Sequence, residues 1–141
     1  MKKYFLVSGI LLIAAAAFCQ EKKAREIPSA AETAFKKSYP TATKTKWSKE
    51  GSDFEVNFMD KKKEMAAVYS SSGELKETEV EIEPTELPAG VAAYVKEHYK
   101  TGIKEAAKIT KANGEINYEA EVNKKDVIFD KNGKFIKESK D

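Results

Sequence analysis

Cysteine, histidine and arginine are nearly missing from this chain, and each shortage closes off a chemistry. Cys19 is the only cysteine and His98 the only histidine among 141 residues. A zinc site of the usual imidazole and thiolate ligands therefore cannot be assembled, and no internal disulfide can staple the fold. A serine nucleophile would have to borrow His98 as its base. His98 falls just before Tyr99, near a predicted helix end where cations are favoured, and Ser38 holds the matching place earlier in the chain. It reads as a solvated helix-end residue. All but Arg25 of the 25 basic residues are lysine, so the planar guanidinium forks that clamp phosphate and read guanine are lacking. Nucleic acid is not an expected partner. Glycine-rich phosphate loops are absent as well, which leaves only an all-carboxylate site for an enzyme. The reading is a non-enzyme with no catalytic residue, no cofactor and no resident metal.

Long apolar runs are equally scarce. The one that exists, Tyr4 to Ala16, falls short of the roughly 20 residues that span a bilayer. It follows Lys2 and Lys3 and precedes Ala17-Phe18-Cys19, the order of a cleavable export signal. The expected organisation begins with a signal over 1–19 and a tail over 20–25. A lipoprotein signal acylated at Cys19 is the rival, but that processing wants a small residue before the cysteine and Phe18 is bulky. Once Lys2 and Lys3 are removed, the remaining bases equal the 23 acids, so the exported chain is neutral. It is expected in the periplasm or outside the cell, without stable membrane insertion.

What the sequence does contain is one pattern written twice. Glu26-Ile27-Pro28 matches Glu86-Leu87-Pro88, and Phe35 with Tyr39 matches Val95 with Tyr99. Phe54-Glu55-Val56-Asn57-Phe58 then matches Tyr118-Glu119-Ala120-Glu121-Val122, and Tyr69, Gly73 and Leu75 match Phe129, Gly133 and Phe135. Each copy opens with apolar residues every four positions (Ile27, Ala31, Phe35, Tyr39; Leu87, Val91, Val95, Tyr99), the spacing of a helix face. Pro28 and Pro88 suit helix starts, while Pro40 and Gly102 supply the stops. The period then drops to two, as on half-buried antiparallel strands. Turn signals at Gly51, Asp60 to Lys63, Gly73, Gly114, Asn123 to Lys125 and Gly133 divide each copy into four strands. The predicted strands cover 43–49, 53–60, 64–70, 74–82, 104–111, 116–123, 126–130 and 134–138. The fold class is thus α+β: two tandem repeats of a helix plus a four-stranded antiparallel sheet, 26–82 and 86–141, joined by a linker at 83–85, with the helices packed on one sheet face. Units this small bury too little surface to be stable alone, so the copies are expected to share a core.

Lys46-Trp47, Gly51, Phe54 to Phe58, Gly73-Glu74-Leu75 and Glu77-Thr78-Glu79, followed by Leu87-Pro88, Tyr94, Lys108 to Lys111, Tyr118 to Val122 and Phe129 to Gly133, form an ordered set. In order and spacing it resembles the beta-lactamase-inhibitor-like, PepSY-like secreted proteins over essentially the whole exported chain. One departure is Tyr99-Lys100, where the pattern has Tyr-Pro as at Tyr39-Pro40. The resemblance implies an exported, non-enzymatic tandem α+β protein and supplies no ligand or catalytic residue.

Candidate binding residues follow from strand phase. Ala67 and Tyr69 belong with the core, which turns Val68 to the open face, and Val127 with Phe129 does the same for Ile128. Lys46, Glu55, Asn57 and Glu119 are expected around this pair, which should be exposed on one side. Trp47, taken as the equivalent of Ile109, is either core packing or a contact surface. The expected partner is a protein or peptide held by the open face or by a cleft between the copies. The alternative is divalent-cation binding by the acidic rows Glu77, Glu79, Glu81, Glu83 and Glu119, Glu121, although strand spacing lacks the tight loop that wraps calcium and the bland reading is a solvated face. Lys61-Lys62-Lys63 reads as a charged hairpin tip.

Overall fold

The computed structural model describes residues 27–140; the expected signal, tail and Cys19 lie outside the described residues. Helix α1, Ser29–Ser38, is followed by strands β1 (Thr43–Glu50), β2 (Asp53–Asp60), β3 (Lys63–Tyr69) and β4 (Leu75–Ile82). A short 3-10 turn at Pro84–Glu86 then leads to helix α2, Val91–Tyr99, and strands β5 (Glu105–Lys111), β6 (Ile116–Glu121), β7 (Lys125–Asp130) and β8 (Phe135–Lys140). The element sequence is the one read from the periodicities.

The sheet arrangement is not. Instead of two four-stranded sheets there is one eight-stranded antiparallel sheet in the order β1 to β8. The joint is the β4–β5 ladder, running from Glu77 opposite Lys111 to Ile82 opposite Ala106. Each half would otherwise expose a row of unpaired backbone groups at β4 and β5, and pairing them removes two sheet edges.

Burial is shared differently from the expectation too. Ala31 and Phe35 of α1 pack on Val56, Phe58, Ala67 and Tyr69, whereas Val91 and Val95 of α2 pack on Ala120, Val122, Val127 and Phe129. These are two clusters, not one core. Register places them on the same face: Val56 pairs with Ala67 and Ala67 with Thr78, and two alternations along β4 reach Ile82, which leads through Ala106 to Ala120. Thr78, Val80, Lys108 and Thr110 occupy this face at the seam and are half-buried. Neither cluster has a buried member on β4 or β5, so the β4–β5 backbone ladder is what unites the halves. Leu75 and Phe135 are half-buried at the margins of the two clusters, and Tyr118 is half-buried on β6.

Local chemistry explains the helix limits. In α1, Glu32 sits in the first turn and Lys36 and Lys37 in the last, the charge order that complements the helix dipole. Before α2 the chain needs a left-handed residue, and Gly90 supplies it at φ 93°. The helix starts three residues after Pro88, later than its match with Pro28 implies. Its end is set not by Gly102 but by Lys100, which takes φ 56°.

Candidate functional site

The sheet face turned away from the helices is a broad groove of about 980 Å³ crossing all eight strands. Its floor is set by the pleat. Three cross-strand rows run Glu55–Val68–Glu77–Lys111, then Lys46–Asn57–Ala66–Glu79–Ile109–Asn117, then Glu81–Ala107–Glu119–Ile128–Lys137. The small residues Ala66 and Ala107 leave low points beside taller carboxylates.

Six of the seven candidate residues share this face: Lys46, Glu55, Asn57, Val68, Glu119 and Ile128 all line the groove. Trp47 does not. It stands among the helix-side residues, its ring 5.6 Å from Phe35 and 6.1 Å from Tyr69, so its role is packing. Nor is Ile109 its counterpart. Trp47 pairs with Val56 as Ala106 pairs with Ala120, which makes Ala106 the equivalent position and puts Ile109 on the open face. The expected exposure of Val68 and Ile128 is also corrected: Val68 is half-buried and Ile128 is only 7% exposed. Ile128 lies between Glu119 and Lys137, long side chains directly opposed to it on both sides.

The centre of the groove belongs to β4, which sequence reading treated as a solvated acidic row. Because β5 flanks it, Glu77, Glu79 and Glu81 stand mid-sheet and not on an edge. Among the described residues none of the three side chains makes a hydrogen bond or ion pair. Other acids are held. Glu121, buried, accepts from Lys104 Nζ at 2.7 and 3.0 Å, and Glu55 accepts from Asn57 Nδ2 at 2.8 Å. Burial, with Glu77, Glu55, Glu50 and Asp126 adding like charge, pushes the Glu79 carboxyl up to about 7. Burial and neighbouring acids also raise Glu55 and Glu81. The signal that could have found this cluster is the matching acid row on β4, but its weight depended on pairing with β5.

This shift has a measurable consequence for folding. A carboxyl whose folded pKa exceeds its unfolded one holds extra protons in the native state, so stability falls as pH rises between about 4.5 and 7 and levels off above. At about 1.4 kcal/mol per pKa unit, Glu79 should contribute a loss of roughly 1–3 kcal/mol between pH 5 and 8. Glu79→Gln should remove most of that slope and be the more stable protein at pH 8, as read by urea midpoints at both pH values. Equal slopes in the two proteins would show that Glu79 ionises without cost.

With the geometry in view, comparison with known proteins places the fold. The profile of the family described as "Putative beta-lactamase-inhibitor-like, PepSY-like" matches twice, over residues 20–77 and 52–137. The chain belongs to this family. Among solved structures, a Bacteroides eggerthii protein described as "putative periplasmic" superposes with a TM-score of 0.70 at 17% identity, covering 81% of this chain and 88% of its own. A BLIP-like protein from Bacteroides fragilis superposes with a TM-score of 0.61 at 23% identity, covering 85% and 91%. At these identities the likeness establishes a shared fold and nothing more. No curated protein sequence matches the chain. Among the described residues no helix is long and apolar enough to cross a membrane, and no group of three potential ligands is placed to hold a metal ion.

Proposed function

We propose that this PepSY-like protein is an exported, non-catalytic, inhibitor-like binding module that engages a protein or peptide through the open face of its sheet. The observation that supports this most directly is the groove. Val68 and Ala107 are half-buried on a face that no helix covers, so accessible apolar surface lies among charged side chains, with Ala66, Ile109 and Ile128, each no more than 7% exposed, packed beside it. Such a surface offers the contacts that dominate binding energy, with polar groups around them to set register. The halves join through β4 and β5, so the groove runs across the joint and the open face and the expected inter-repeat cleft become one place. The family description and the likeness in fold to proteins described as periplasmic and BLIP-like favour an exported module of this type. The alternative of a divalent-cation binder gains no support, since the carboxylates are spread along rows and do not converge.

The test must block the groove without unfolding the sheet. Ile128→Asp is unsuitable, because it would bury a charge. Val68→Tyr combined with Ala107→Tyr adds bulk to two half-buried strand positions, where tyrosine is well tolerated. The double variant should remain folded by circular dichroism and lose at least about tenfold in capture of exported proteins that the parent retains, on the scale of about 1.4 kcal/mol per decade. Undiminished capture would mean that the groove is only a solvated surface.

A further inference from the structure

We infer that the groove is built for a cationic polypeptide segment, with lysine or arginine stems lying over Ala66 and Ala107 and their charged heads among the carboxylates of β4. This rests on the reading of the open face as the binding surface and names the chemistry of its occupant. Carboxylates outnumber lysines by eleven to four among the residues lining the groove, although the sequence beyond the signal is neutral as a whole. The imbalance is therefore a property of one face.

The floor gives the charge a shape to act through. Ala66 is flanked by Asn57 and Glu79, and Ala107 by Glu81 and Glu119. Directly opposed residues in a sheet have Cβ atoms about 4.5–5.5 Å apart, so a side chain entering over either alanine meets apolar surface below and a carboxylate beside it. A long aliphatic stem ending in a cation fits that sequence of environments. An acidic or neutral segment would leave Glu77, Glu79 and Glu81 without partners in a desolvated interface, which is costly.

The other local cations do not already fill this role. Lys111 stands opposite Glu77 but bonds Glu115 Oε1 at 2.7 Å, and Lys104 is engaged by Glu121 and Glu105. Burial and, after it, the like charge of its neighbours raise Glu79, and an incoming cation would relieve the second of these. Nucleic acid and anionic lipid surfaces carry the wrong sign.

The probe is a fluorescent peptide of alternating lysine and alanine, with the glutamate–alanine peptide as its counterpart. The whole exported protein should bind the lysine peptide at low salt and not the glutamate one. Glu77→Gln with Glu79→Gln should weaken that binding about tenfold or more. Glu32→Gln with Glu97→Gln, which removes the same charge from the helices, should leave it within about twofold. Amide shifts on titration should centre on Ala66, Glu79 and Ala107. Equal weakening by both pairs would reduce the effect to diffuse attraction and overturn the inference, as would absence of lysine-peptide binding or shifts confined to the helices. The inference is separable from the reading beneath it: if the lysine peptide fails but the tyrosine variant still loses its captured partner, the face binds something that is not cationic.

Discussion

Truncating Phe129 to alanine should destabilise the protein by about 3–5 kcal/mol, the range for emptying a fully buried phenylalanine site. Phe129 has no exposed surface, and its ring meets Tyr94 at 5.4 Å and Phe135 at 6.4 Å in edge-on contacts. Phe58→Ala should cost a similar amount, since Phe58 is 3% exposed and packs at 4.9 Å from Phe35 and 4.6 Å from Tyr39. These two residues belong to different clusters with no shared members, so their losses should add to within about 0.5 kcal/mol. Urea unfolding of the two single variants and the double variant measures this directly. A combined loss much smaller than the sum would reveal packing between the halves, and a loss below about 1 kcal/mol at either site would contradict its burial.

Substitution of Gly133 by alanine should be nearly as damaging, at about 2–5 kcal/mol. Gly133 holds the β7–β8 turn at φ 82°, and a Cβ there would stand 2.7 Å from the Ala89 carbonyl oxygen. A left-handed conformation costs a residue with a Cβ about 1–2 kcal/mol, and forcing extra atoms into a packed place costs about 1–3 kcal/mol more. Gly73 repeats the arrangement under α1, with φ 84° and 2.6 Å to the Ala30 carbonyl oxygen. In both halves a hairpin tip is pressed against the beginning of a helix, so neither backbone can yield without moving a whole element. Gly51→Ala is the natural control. It shares a positive φ of 58° but meets nothing within 4 Å, so it should show only the conformational part. If Gly133→Ala and Gly51→Ala shifted the unfolding midpoint equally, the close approach to Ala89 would carry no energy.

These glycines also show why so much of the fold was legible. Gly73 and Gly133 occupy the same place in the two written patterns, and the strands on either side declare themselves by alternation. The eight strands fall within two residues of their expected limits at every end. Errors arose where an equivalence was carried through turns of different length. Trp47 was matched to Ile109 in this way, although the ladder matches it to Ala106. The turn expected at Asp60 to Lys63 falls there, although Lys61 and Lys62 both take the left-handed conformation, at φ 48° and 69°, that glycine and asparagine usually signal.

Local rules determined the helices, the strands, their inward and outward phases and the acidic rows, because each depends on neighbours within a few positions along the chain. Phase alone placed Lys46, Glu55, Asn57, Val68, Glu119 and Ile128 on one face. Phase could not say how crowded that face would be, and the burial of Ile128 comes only from the assembled sheet. The pairing of β4 with β5 is the larger decision. It is made between segments separated by a helix, through backbone groups that carry no side-chain signature, and it turns two candidate edges into the middle of a single sheet. Glu77, Glu79 and Glu81 are an ordinary solvated row if β4 is an edge. With β5 beside them they stand in the centre of a groove, where burial and like charge lift Glu79 to about 7.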